Sequence, residues 1–170
     1  MKKMWRGLTP LGIILIPAIF VYGAYVVSTE FGNLHETIIS ELYSATQASL
    51  SALAANDFAI INYLNRINGA AILEYNSKIT NLKLDRNHSL HHAKFLLTNN
   101  SVVFGSMNFT ESSLNDDLND AIVFYEPEIL IVFENIFNSL WNGKKPKGVY
   151  KTQLGDFYIS PFFDLEKIFY

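Results

Sequence analysis

His92-Ala93-Lys94 and Gly105-Ser106-Met107-Asn108-Phe109-Thr110 are the two stretches of this 170-residue chain whose residue types and spacing could do chemistry. An imidazole serves as nucleophile or proton carrier near neutral pH, and an ammonium supplies a compact positive charge with three donors. On a β-strand, side chains at i and i+2 emerge on one face, about 6.5 to 7 Å apart along the backbone. One tetrahedral oxyanion can therefore touch both His92 and Lys94. Gly105 lets a neighbouring group approach the backbone closely, while Ser106 and Asn108 add a hydroxyl and an amide. Together these residues describe an anion-binding cleft with a nucleophile inside it.

Something must hold the two stretches together, and the surrounding pattern supplies it. Residues 91–98 alternate as a strand, Asn99-Asn100-Ser101 makes a tight turn, and residues 102–105 form the return strand of a hairpin. Upstream, between Asn33 and Ala54, Leu34, Ile38, Ile39, Leu42 and Leu50 recur at helical spacing, and the apolar stretch Leu50 to Ala55 that follows could be a strand. Asn56-Asp57 is an N-cap signal for a helix running to about Ile67, stopped by Asn68-Gly69, and residues 70–75 read as a buried strand. A polar connection covers 76–87. Downstream, Glu126 to Trp141 is amphipathic and Gly143 closes it. Strands alternating with helices imply an α/β sandwich around a mixed or parallel sheet.

Composition narrows the chemistry. Without cysteine, disulfides, thiolate zinc sites and a cysteine nucleophile are excluded. The net charge of -3 gives no global pull toward polyanions, but its distribution is uneven. Lys78, Lys83, Arg86 and Lys94 stand against Asp85 alone in the middle of the chain, and every charge from Glu111 to Glu134 is acidic. The length suits one ordinary domain, so a second functional unit would have to come from another chain.

His92-x-Lys94 followed by Gly105-Ser106-x-Asn108 resembles the H-x-K-x4-D and G-S-x-N signature of the phospholipase D superfamily. The resemblance implies a phospholipase D-like α/β sandwich with a mixed sheet, and a displacement at phosphorus needing no metal or other cofactor. In that chemistry one histidine forms a phosphohistidine, and a second, from a partner motif, protonates the leaving alcohol. His92 would be that histidine, with Lys94, Ser106, Asn108 and the Gly105 backbone holding the phosphate oxygens. A single motif then implies a homodimer with two His92 side chains facing across a two-fold axis. Two departures stand out. The motif aspartate is Asn99 here, which puts activity in doubt. The family's acidic residue after G-S-x-N, which orients the histidine, falls on Asn119 without gaps; the nearest acids are Asp117 and Asp120, and Asp120 is preferred.

The N-terminus points to lipid. No charge occurs between Arg6 and Glu30, and residues 8–27 are long enough to cross a hydrocarbon core as a transmembrane helix. Lys2, Lys3 and Arg6 ahead of it place the N-terminus in the cytoplasm and the catalytic part outside. A cleaved signal peptide, giving a secreted protein, and a buried core helix are the alternatives. The expected layout is therefore an anchor or signal at 1–29, a phosphodiesterase domain at 30–150 and a tail at 151–170. In that tail, Phe162-Phe163-Asp164-Leu165 echoes Phe31-Gly32-Asn33-Leu34 and reads as the opening of a second repeat.

His91 would face away from His92 on a regular strand and so read as a surface or packing residue. His88, His91 and His92 lack a carboxylate or cysteine at metal-ligand spacing, so no metal site is expected. Three functions fit these residues. Phospholipid phosphodiester hydrolysis or transfer is preferred because of the anchor. A single-motif endonuclease acting on nucleic acid would use the basic island. A phospholipase D-like membrane protein that is inactive or incomplete would explain Asn99 and the single motif.

Overall fold

The structure is a computed structural model that describes residues 24–28, 34–85, 91–162 and 164. Its centre is a seven-stranded mixed sheet. In chain order the strands are β1 (Ala24–Ser28), β2 (Ala48–Ala52), β3 (Ala70–Leu73), β4 (Asn81–Leu84), β5 (Phe95–Thr98), β6 (Val102–Gly105) and β7 (Asp120–Phe124). They lie in the spatial order β1-β7-β6-β5-β2-β3-β4. The β2, β3 and β4 strands run parallel, and all other neighbours are antiparallel. The predicted hairpin is β5–β6, with Phe95 opposite Phe104 and Leu97 opposite Val102.

Strand alternation sends side chains to two cores. Leu50, Leu96, Val103 and Val123 pack with Leu34, Ile38 and Leu42 of α1 (Leu34–Tyr43) and with Ile60 and Leu64 of α2 (Phe58–Arg66). On the other face Phe95, Leu97 and Val102 meet Ile129, Val132, Phe133, Ile136 and Phe137 of the long helix over Pro127–Trp141. Each of these helices hides one apolar stripe, as its sequence period requires. The Asp57 carboxylate caps α2, accepting from the Ile60 N–H at 2.9 Å. One further turn of helix, α3 (Glu111–Asn115), is capped by Thr110 and leads into β7; the long helix is α4.

Three expectations are corrected here. Residues 24–28, assigned by sequence to a transmembrane helix and to the 1–29 anchor, form β1 and pair with β7 from Ala24–Phe124 to Ser28–Asp120. The stretch Tyr25-Val26-Val27 is apolar but also β-branched and aromatic, so a sheet edge can claim it. The rest of the apolar run lies outside the described residues, and among the described residues no helix is long and apolar enough to cross a membrane. The boundary expected at 150 falls inside β8 (Val149–Thr152), which forms a hairpin with β9 (Gly155–Tyr158). Phe157 of that hairpin meets Phe104, Phe124 and Phe133, so the hairpin belongs to the domain. Finally, the connection over 76–87 contains β4, whose alternation of Leu82 and Leu84 with Asn81 and Lys83 is only four residues long and leaves no residue fully buried at the sheet edge. The suggested repeat in the tail falls mostly on residues outside those described.

Candidate functional site

The β5 ladder begins only at Phe95, opposite Ser51, so residues 91–94 enter the sheet as irregular backbone. Side chains hold them instead. His91 Nδ1 lies 3.0 Å from the Asp85 carboxylate, its Nε2 lies 2.8 Å from Ser51 Oγ, and its backbone N–H donates to the Glu74 carboxylate at 3.1 Å. The ring is 6% exposed and Ser51 not at all. Burial lowers the pKa of His91 below the ordinary histidine value, with Asp85 and Glu74 opposing and Lys94 reinforcing that shift. A neutral ring bonded in this way donates from Nδ1 to Asp85 and accepts from Ser51 at Nε2. Of the two readings of His91, surface or packing residue, the second holds: it is a buried group bonded through both ring nitrogens and its backbone N–H.

His92 has the opposite character. It is exposed, and neither ring nitrogen has a partner among the described residues. Of two adjacent histidines, only His92 has a nitrogen available for attack. Lys94 is 8% exposed, and its ammonium folds back to donate to the His92 backbone oxygen at 3.2 Å. Among the described residues no carboxylate forms a salt bridge with it. Burial lowers its pKa. A buried ammonium without a counterion is costly, and an anion arriving beside residue 92 would offset that cost.

The G-S-x-N turn is fastened to the same backbone. The Gly105 N–H donates to the Lys94 oxygen at 3.3 Å. A Cβ at position 105 would sit 2.0 Å from the Asp120 oxygen, so glycine is required by the approach of β7. Ser106 donates its hydroxyl to Asn119 Oδ1 at 2.8 Å, accepts from the Asp120 N–H at 3.1 Å, and donates its own N–H to the Asp120 oxygen at 3.0 Å. Asn119 in turn reaches the Ser113 backbone oxygen and hydroxyl, and that hydroxyl accepts from the Asn108 N–H at 2.9 Å. The Asn108 amide oxygen is buried and makes no hydrogen bond. Asp120 contributes backbone to this turn, while its exposed carboxylate has no partner among the described residues. Asn119, at the gapless motif position, is bonded to Ser106 through its side chain, whereas Asp120 is bonded to Ser106 through its backbone.

Asn99 sits at the far end of β5, about five residues or 16 Å of strand from Lys94. Its amide oxygen accepts from the Thr46 N–H at 2.9 Å and the Gln47 N–H at 3.3 Å, closing the connection between α1 and β2. An amide oxygen serves there as well as a carboxylate oxygen. Among the described residues no cluster of potential ligands could hold a metal ion; His88 lies outside them.

A family model described as "Cardiolipin synthase, PLD-like domain" matches residues 28–141, a span that contains both motifs and the helices packed behind them. The chain belongs to this phospholipase D-like family. No curated protein sequence matches it. Among solved structures it is similar to Nuc, a phospholipase D family member from Salmonella typhimurium, with a TM-score of 0.64, 18% identity, and coverage of 76% of this chain and 98% of that one. NucT from Helicobacter pylori gives 0.61, 10%, 72% and 98%. Polyphosphate kinase from Porphyromonas gingivalis gives 0.55 at 12% identity over 78% of this chain but 24% of that protein. At these identities the likeness establishes the fold.

Sequence reasoning found the two motif stretches, named His91 and Asn119 without their partners, and missed Ser51, Glu74 and Asp85 around His91 and Ser113 beside Asn119. Ser51 and Glu74 lie at the ends of strands recognised for their apolar content, so their polar atoms carried no pattern. The one available signal was a histidine doublet in a chain with only four histidines.

Proposed function

We propose that the chain hydrolyses or transfers phosphodiester bonds through a phosphohistidine on His92. The observation that carries this reading is an exposed imidazole with no ring partner among the described residues, next to a buried ammonium that has no carboxylate partner among them. A nonbridging oxygen of a phosphodiester would pair with Lys94, and the Asn108 amide, turned to present its NH2, would donate to another. His92 attacks phosphorus, the bond to the leaving alcohol breaks, and that oxygen takes a proton from a second histidine. Water, giving its proton back to that histidine, then breaks the P–N bond. The second histidine is supplied by His92 of another copy in a homodimer. Asn99 does not weigh against activity, because its hydrogen bonds are at the opposite end of the hairpin.

Phospholipid is the preferred substrate. The matching family model carries a lipid-synthase description, the charge-free N-terminal run suits an anchored protein whose domain lies outside the cell membrane, and acidic charges crowd the chain after Glu111. One observation favours nucleic acid as a second reading. A pocket of about 600 Å³ is lined by Asn56, whose amide oxygen accepts from the Glu111 N–H three residues past the G-S-x-N turn, with Asn62, Asn76, Lys78 and the strongly exposed Phe58. Amides and an open aromatic face suit a base and sugar.

The test is turnover of bis-p-nitrophenyl phosphate in excess EDTA by the full chain and by His92→Ala, followed by phospholipid vesicles and a single-stranded oligonucleotide. Activity that survives chelation and disappears in the variant is expected. Equal activity in the two proteins overturns the assignment of His92.

A further inference from the structure

Ser51, His91 and Asp85 are arranged as a serine hydrolase arranges its triad, hydroxyl to imidazole to carboxylate at 2.8 and 3.0 Å. Yet Ser51 has no exposure, so no substrate can reach it. A relay that cannot touch substrate can still hold something that does.

We propose that His91 is a positioning residue which fixes the catalytic segment from its buried side. This rests on the reading of His92 as nucleophile. The ladder between β2 and β5 ends at the Ser51–Phe95 pair, and on the β6 side the last bond is from the Gly105 N–H to the Lys94 oxygen, so among the described residues no strand pairing holds residues 91–93. His91 replaces the missing ladder by bonding to three separate places: Ser51 on β2, Asp85 just past β4, and Glu74 just past β3. One peptide bond separates it from His92, and the Lys94 ammonium is bonded to the His92 oxygen. Fixing His91 therefore fixes both nucleophile and cation. A displacement of the reacting group by ~1 Å can cost on the order of 10²-fold in rate, so such a latch acts on the rate of attack more than on substrate binding. The charged groups that face the ring are Asp85, Glu74 and Lys94; burial outweighs the two carboxylates, keeping the imidazole neutral and its Nε2 an acceptor for Ser51.

The experiment compares wild type, His91→Phe and Ser51→Ala in the full chain. His91→Phe keeps a ring of similar volume and removes both ring bonds; Ser51→Ala removes one bond by a small change and serves if the first variant does not fold. Two quantities are read: the initial burst of p-nitrophenol from bis-p-nitrophenyl phosphate, and hydrogen exchange at the Gly105 amide, which is bonded to the Lys94 oxygen. The expected result for His91→Phe is a burst slowed about 100-fold with KM changed less than about threefold. Gly105 should exchange at least tenfold faster than in wild type while the amides of β7 are unaffected. Ser51→Ala should show the same pattern at smaller size. A folded variant with the wild-type burst and wild-type Gly105 exchange overturns the proposal. A wild type that releases no p-nitrophenol at all refutes the phosphohistidine reading instead, and the exchange of Gly105 then still decides whether His91 holds the segment; if release is linear from the start, its rate is compared in place of the burst.

Discussion

The two ends of the β5–β6 hairpin differ in how completely their polar groups are bonded. At the turn end, Glu41 accepts from Ser101 at 2.5 Å and from Tyr125 at 2.7 Å, Thr98 and Ser101 bond each other, and Asn99 closes the α1–β2 connection. At the other end, His92 has no side-chain partner among the described residues, Lys94 forms no salt bridge among them, and the Asn108 oxygen is buried and unbonded. Native proteins bond their buried polar groups, and groups left unbonded cluster where a ligand or reaction will use them. One end of the hairpin is architecture and the other is the candidate site. The motif position at which this chain departs, Asn99, lies at the architectural end.

That contrast can be broken by exchanging the two kinds of effect. Lys94→Met keeps the buried stem and removes the charge, so activity on a phosphodiester should fall by ~10²–10³-fold with the melting temperature unchanged or raised. An activity loss that merely tracks unfolding would place Lys94 with the architecture. Asn99→Leu should do the reverse. Thr46, Gln47 and Asn99 are exposed, so water takes over the lost acceptor and the change should cost about 0.5–1.5 kcal/mol in a denaturant titration, with kcat of the folded fraction unchanged. Asn99→Asp, which restores the motif, should change kcat less than about threefold, since a carboxylate oxygen makes the same bonds. A large gain in kcat would mean that this turn reaches the site.

The smallest effect is in pH. Because the pKa of His91 is lowered in the folded chain, the folded state binds fewer protons there than the unfolded state. The resulting stability is present above the ordinary histidine value of 6.5, and is lost as pH falls below it through the lowered value. Thermal melts between pH 7.5 and 5 should slope downward with acidification in wild type and be flatter in His91→Phe. Parallel slopes would remove His91 from the buried end of the site.

Much of this architecture was readable. The hairpin, α2 with its Asp57 cap and α4 follow from apolar period and capping chemistry, which are local. β4 and the β8–β9 hairpin were missed because edge elements bury too little to leave a pattern. β1 was assigned to the membrane because a Val-rich apolar run satisfies lipid and sheet alike, and only pairing with β7 separates them.

The sequence by itself determined which residues could bind and attack an anion, because imidazole, ammonium, hydroxyl and amide are covalent facts and their strand spacing is fixed. The spacing to Lys94 already singled out His92 over His91; only the tertiary structure showed His91 bonded to Ser51, Asp85 and Glu74 while His92 stays exposed. It also turned Gly105 from a phosphate-binding glycine into one demanded by Asp120, and moved Asn99 out of the site. Each of these depends on contacts between residues distant in the chain, Ser51 with His91, Gly105 with Asp120, Thr46 with Asn99. No local pattern encodes such contacts, since burial and bonding are properties of the packed whole.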